Sequence, residues 1–157
     1  MEFTEAEARA AIGPRHEYYI GQWRQTQRRR FNRAAFWFSG AWLPFRRMYL
    51  ATIIFYVAIL ALDLAVNAVL GQPLNQQQLV ARGAACTVIA ATVCGIWGSR
   101  WYRAHVARLI QTVRALNLPA DEHLRQLEAV GGTRPIHAIG AILFFAVASW
   151  VIDKAGM

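Results

Sequence analysis

Arginine falls in blocks along this chain, and the blocks alternate with stretches too apolar to dissolve in water. Of the seventeen Lys and Arg residues, nine precede Met48 and none lies between Met48 and Ala81. Arg82 stands alone, six fall from Arg100 to Arg134, and only Lys154 follows the last apolar run. Apolar runs with basic residues kept to one side are what a bilayer imposes on a multi-pass protein. The pattern predicts an all-α integral membrane fold with three transmembrane helices. An N-terminal interfacial aromatic helix and a basic amphipathic cytoplasmic helix complete it. The pattern carries no reaction, and no motif in the chain supplies one.

At 157 residues there is material for one domain. Hydrophobic residues make up 56% and charged residues 17%, below the usual quarter for soluble domains. A net charge of +8 could suit nucleic acid. Here the charge sits between apolar runs, where it meets anionic lipid headgroups, so the expected partner is the bilayer and not nucleic acid. Cys86 and Cys94 are separated by roughly 12 Å of helical rise, too far for a disulfide, and match no metal-ligand spacing. Both read as packing residues. The acidic start (Glu2, Glu5, Glu7) and a first apolar run near Ala34 predict no cleavable signal peptide.

Residues 1–47 read as a cytoplasmic arm. Thr4-x-x-Glu7 predicts a capping box for a short helix that Gly13-Pro14 ends. The polar stretch Arg15–Arg33 reads as helical and surface-bound. Residues 34–45, AAFWFSGAWLPF, rise only about 18 Å as a helix against a hydrocarbon core of about 30 Å, so they cannot span. Two forms fit: a helix lying in the interface, which is preferred, or a shallow re-entrant dip broken near Ser39-Gly40. Residues 48–98 read as a transmembrane hairpin, with spans over Met48–Leu70 and about Gln76–Gly98, the second opened by an Asn75-x-x-Gln78 cap. Residues 99–135 form a cytoplasmic amphipathic linker. Val106, Leu109, Ile110, Val113 and Leu116 lie on one face, with Arg103, Gln111 and Arg114 around the other. Asp121 is the expected cap of a small helix ending at Gly131-Gly132. Residues 136–157 hold a third span and an outer tail. The count of basic residues puts the N-terminus in the cytoplasm and the C-terminus outside a bacterial inner membrane.

Asp63 is the one acid in an expected span, and a carboxylate in hydrocarbon marks a pathway or a partner. Arg82 lies at about the same depth on the returning helix, and Asn67 shares the Asp63 face. The three form a candidate intramembrane ion pair that fixes helix packing; an ion or proton relay would need more polar lining. His105 and His137 are the candidates for a haem or pigment ligand. A lone interfacial histidine is more often a hydrogen-bonded side chain, and no cofactor or metal is expected. Arg28, Arg29, Arg30, Arg46 and Arg47 read as contacts to anionic headgroups. Trp23, Trp37, Trp42, Trp97, Trp101 and Trp150 read as belt residues at membrane boundaries. Ala58, Ala61, Ala65 and Ala68 form a small-residue stripe, and Ala91-x-x-x-Gly95 a second surface suited to helix–helix contact.

Read in order, IGPRHEYYIGQW, FNRAAFWFSGAWLPFRRMY, WYRAHVARLI and GGTR resemble the signature of a family of small bacterial membrane proteins, catalogued as domain of unknown function 2628. The likeness covers roughly residues 12–135. Its most specific part is the block Phe31–Tyr49, opened by Phe-Asn and closed by Arg-x-Met-Tyr. The family often has Gly-Pro in mid-block; here Ser39-Gly40 stands there and the proline is displaced to Pro44, so no fixed bend is expected. The resemblance implies an integral membrane protein and no catalytic residue. With no nucleophile–base pair, phosphate loop or metal cluster in the sequence, the expected function is that of a non-enzymatic accessory or scaffold subunit. It would dock on other membrane-embedded subunits of a larger complex. The alternative is a small transporter or lipid-handling protein using Asp63 and Arg82.

Overall fold

The structure is a computed structural model that describes residues 3–24, 31–70 and 75–154; the side chains of Asp63, Asn67, Leu70, Phe145, Ala146 and residues 148–154 also lie outside it. Among the described residues every element is an α-helix: α1 (Glu5–Ile12), α2 (His16–Arg24), α3 (Arg33–Phe45), α4 (Tyr49–Leu70), α5 (Gln76–Arg114), α6 (Ala120–Val130) and α7 (Pro135–Lys154).

Local chemistry sets the helix ends. Thr4 Oγ accepts from the Glu7 N–H at 3.3 Å, and the Glu7 carboxylate accepts from the Thr4 N–H at 2.7 Å. Asn75 and Gln78 make the same exchange at 2.9 and 3.0 Å. Each box satisfies donors that a helix start leaves without partners. At α6 the expectation is corrected: the N-cap is Pro119, with no side-chain cap bond. Asp121 lies inside the first turn, where its carboxylate meets the positive end of the helix dipole.

The middle of α3 carries a break that the displaced proline had argued against. Ser39 takes φ 37° and ψ −116°, outside helical space. Pro44 has no N–H for the carbonyl four residues back, and its ring crowds that carbonyl, so the distortion falls at Ser39-Gly40. The segment ends in a Schellman motif. Arg47 sits at φ 59°; its N–H reaches Pro44 O at 2.9 Å, and the Met48 N–H reaches Leu43 O at 3.0 Å. Leu43 and Met48 are both buried, the apolar contact such a motif favours.

The break falls where the second of the two forms considered for this segment has it, near Ser39-Gly40. The broken α3 packs on α5, α7 and α4. Gly95 and Gly98 allow the approach on α5: a side chain at Gly95 would strike the Phe31 ring, and one at Gly98 would meet Ala35 at 3.0 Å and Trp42 at 3.4 Å. The Asn32 N–H donates to Gly95 O at 2.8 Å, pinning the start of α3 to the same place.

A head forms around these contacts. Ile12 of α1, Tyr19 and Trp23 of α2, Trp42 of α3, Tyr102, Val106 and Ile110 of α5 and Leu127 of α6 join one buried cluster. Tyr19, Ile20 and Trp23 are buried, so one face of α2, in a stretch expected to lie on a surface, belongs to the core. The amphipathic face of α5 behaves as its spacing predicts, with Val106, Ile110 and Val113 buried, Leu109 half-buried and Leu116 exposed. It faces other helices of this chain, α1 and α6.

The rest of the molecule differs. Leu50, Ile53, Ile54 and Val57 on α4, Val80 and Val88 on α5, and Ile139, Leu143 and Phe144 on α7 are all exposed. Two of the described helices, α4 and α5, are long and apolar enough to cross a membrane. Three spans were expected; α7 forms as a helix, but much of its second half, with Ser149 and Trp150, lies outside the described side chains. Among the described residues α4 and α5, the two arms of the expected hairpin, make few contacts with one another.

Candidate functional site

The Schellman turn places two arginines back to back, and the structure uses both. Arg46 is only 4% exposed. Its Cζ lies 4.8 Å from the centre of the Tyr19 ring, 5.0 Å from that of Tyr102 and 5.7 Å from that of Phe45. It donates to Tyr19 Oη at 2.8 Å and to Tyr102 Oη at 3.5 Å. The two tyrosine rings meet edge-on at 4.9 Å, and Trp42 closes on Tyr102 at 5.9 Å. Cation–π contacts of this kind contribute about 0.5–2 kcal/mol each. They offset part of the cost of burying the charge and supply no counter-ion. Burial pushes the Tyr19 hydroxyl above its ordinary pKa even with Arg46 beside it, so the box stays neutral around its cation. Arg46 Nε has no acceptor, and no carboxylate pairs with Arg46 among the described residues.

Arg46 lines a cavity of about 630 Å³ between α3 and α7, with Phe38, Trp42, Ile139 and Ile142 among its apolar walls and Arg15 and Thr133 among its polar lining. Small-molecule sites fall at roughly 300–1,000 Å³ and combine such walls with a few polar groups. A second cavity, of about 620 Å³, opens between α4 and α5, lined by Ile54, Phe55, Val93 and Trp101 with Arg47, His105 and Arg108. Burial first, then the charges of Arg108 and Arg47, hold the His105 imidazole below its ordinary pKa. Arg47 also donates to Ala129 O at 2.7 Å and Gly131 O at 2.9 Å, serving carbonyls at the end of α6.

Two polar clusters brace the head. Glu7 takes Arg114 in a bidentate pair, 2.7 Å to each oxygen, and His123 Nε2 lies 3.2 Å from Glu7 Oε1. The hydrogen bonds from Arg114 hold the Glu7 carboxyl down at about 2 against the opposing effect of burial. Asn32 caps α3 through Ala35 N at 3.0 Å and donates to Ser99 Oγ at 3.2 Å, which in turn donates to Gln22 at 2.9 Å. These clusters join α1 to α5 and α6, and α2 to α3 and α5.

The residues singled out from the sequence divide sharply. Arg46 and Arg47, read from the sequence as headgroup contacts, both hydrogen-bond within the fold: the turn that ends α3 sets Arg46 against Tyr19 and Tyr102 and brings the half-buried Arg47 to the carbonyls at the end of α6. Arg28, Arg29 and Arg30 lie outside the described residues, as do the Asp63 and Asn67 side chains. Arg82 is half-buried. Ala58, Ala61 and Ala65 are exposed, whereas Ala91 and Gly95 are buried where α3 lies on α5. His137 Nδ1 lies 2.8 Å from Tyr49 Oη, joining α7 to α4. His105 lines the second cavity, and among the described residues no group of three His, Cys, Asp or Glu side chains could hold a metal ion. Trp37 stays exposed at 77%, but Trp23 and Trp42 are core residues and not belt residues.

Sequence reasoning missed Glu7 as a buried anion, Asn32 as a junction, and Tyr19 and Tyr102 as the arginine's enclosure. The available signals were the Phe31-Asn32 and Arg46-x-Met48-Tyr49 ends of the aromatic block, whose spacing shows no partner. Comparison with curated proteins and with solved structures found no match. A family model matches residues 3–108, reaching further toward the N-terminus than the likeness noted above and stopping short of α6 and of Gly131–Arg134. That span holds Glu7, the whole Arg46 enclosure and the junction at Asn32, and the chain belongs to the family described as "Protein of unknown function (DUF2628)".

Proposed function

We propose that the protein is a non-catalytic accessory or scaffold subunit of the bacterial cytoplasmic membrane. Its spans would be α4, the Gln76–Gly98 part of α5, and α7. The supporting observation is the apolar surface these segments leave uncovered. Each large aliphatic side chain returned from water contributes about 1.5–3 kcal/mol, while whole domains are stable by only about 5–15 kcal/mol. Exposed surface of this kind is covered by lipid, by another protein, or by both. The few contacts between α4 and α5 among the described residues and the exposed stripe of Ala58, Ala61 and Ala65 leave room for a neighbouring helix at close range. All basic residues but Arg82 and Lys154 fall in sequence before Met48 or between Arg100 and Arg134, outside the proposed spans, so the head lies in the cytoplasm and the C-terminus outside.

Solubilisation in mild detergent followed by mass measurement tests this reading. The protein is expected to migrate with companion membrane subunits, and Ala58→Leu with Ala61→Leu is expected to release it without unfolding the head. A lone monodisperse monomer would end the proposal. Reporters near Leu74 and after Met157 must both report the outer side. The half-burial of Arg82, within a stretch of α5 whose neighbours are exposed, favours a second reading as a small transporter using Asp63 and Arg82. Asp63→Asn separates the two: loss of flux with intact assembly supports transport, and loss of assembly supports a packing role.

A further inference from the structure

The cavity between α3 and α7 combines two properties that are rarely useful apart. One part of its lining is apolar, built by Phe38, Trp42, Ile139 and Ile142; another carries the cations Arg15 and Arg46. Arg46 is buried, its Nε has no acceptor among the described residues, and neither arginine has a carboxylate partner among them. A buried cation without an anion is costly, and a guanidinium is shaped to donate parallel N–H bonds to phosphate or carboxylate oxygens.

We propose that this cavity binds one anionic phospholipid, an acyl chain along the α3–α7 walls and the phosphate at Arg46 and Arg15. Two observations favour a lipid over a free anion. The apolar walls exceed anything a phosphate needs, and Phe38, Ile139 and Ile142 among them are themselves exposed, so a chain can enter from the side. The lipid then supplies the charge that the aromatic enclosure lacks and fills the gap beside the break in α3. Its position wedges the head against α7. The site rests on the membrane placement proposed above, but not on docking to other subunits, for which the stripe of Ala58, Ala61 and Ala65 on α4 is the proposed surface.

Native mass spectrometry of the full chain in a neutral detergent, titrated with palmitoyl-oleoyl phosphatidylglycerol or the matching phosphatidylcholine, tests the site. One phosphatidylglycerol is expected to be retained about tenfold more tightly than phosphatidylcholine, a difference appropriate to two basic groups at one headgroup. Arg15→Gln should weaken retention about fivefold, and Ala138→Phe, which fills the α7 wall, should abolish it. Arg46→Gln is informative only if circular dichroism shows an intact head, so the other two variants carry the decision. Equal retention of both lipids overturns the proposal. So does unchanged phosphatidylglycerol binding in folded Arg15→Gln and Ala138→Phe, which would mean adsorption elsewhere. Displacement of the lipid by millimolar inorganic phosphate would assign the site to a free anion instead.

Discussion

The head and the apolar segments are built from the same kind of helix, yet they keep their shape by different means. In the head the main buried polar side chains have partners across the fold, Glu7 with Arg114, Asn32 with Ser99, and Arg46 with Tyr19 and Tyr102, although Gln22 Nε2, Trp23 Nε1 and Arg46 Nε are left without one among the described residues. On α4, the start of α5 and α7, aliphatic side chains point outward. The head therefore owes its stability to its own contacts, whereas the apolar segments depend on what surrounds them. One helix belongs to both regions. The 39 residues of α5 run without interruption, and small residues such as Gly95 and Gly98 mark where the exposed half passes into the enclosed one.

The largest loss is expected from Tyr102→Ala in the head. Tyr102 is 1% exposed and touches Tyr19, Trp23, Trp42 and Arg46. Its loss should cost about 3–5 kcal/mol, read by denaturant unfolding of the detergent-solubilised protein. Next comes Gly98→Val, which drives a side chain against Ala35 and Trp42; overpacking of this sort costs about 1–3 kcal/mol and should loosen α3 toward protease.

Glu7→Gln should cost about 1–2 kcal/mol at neutral pH, and acid should do the same to the wild type. The folded-state value of about 2 lies below the ordinary 4.5, so the folded head binds fewer protons across that window. The contribution is whole above about pH 4.5 and is lost as pH falls toward 2; unfolding curves of wild type and Glu7→Gln should converge there. The smallest effect belongs to the other region. Ile53→Ala on α4, 61% exposed, should alter head stability by less than about 0.5 kcal/mol. A large loss in that unfolding assay would mean that α4 is packed within the protein after all, and the distinction between the regions would fail.

How much was legible followed from how local each feature is. The boxes at Thr4–Glu7 and Asn75–Gln78 span four residues, and the α5 face through Val106, Ile110 and Val113 repeats with helical period; both could be read directly. The break at Ser39 was legible as the second of the two forms considered, the one broken near Ser39-Gly40, although the displaced Pro44 weakened the case for a fixed bend. The Arg46 enclosure was not recoverable. Its rings come from α2 and α5, and an arginine beside an aromatic block has the same local pattern whether it meets lipid or folds inward.

Sequence alone determined the helical content, most of the helix boundaries and the contrast between basic and apolar stretches, because capping, periodicity and hydropathy act over a few neighbouring residues. Tertiary structure decided that the aromatic segment is a hub between α5, α7 and α4, and that Trp23 and Trp42 are core. It also set Arg46 against Tyr19 and Tyr102 and brought Arg47 to the end of α6. Those outcomes depend on shape matching between distant segments, such as a ring fitting over Gly95 and a turn at Arg47 setting two side chains apart, and no short-range pattern encodes such a fit.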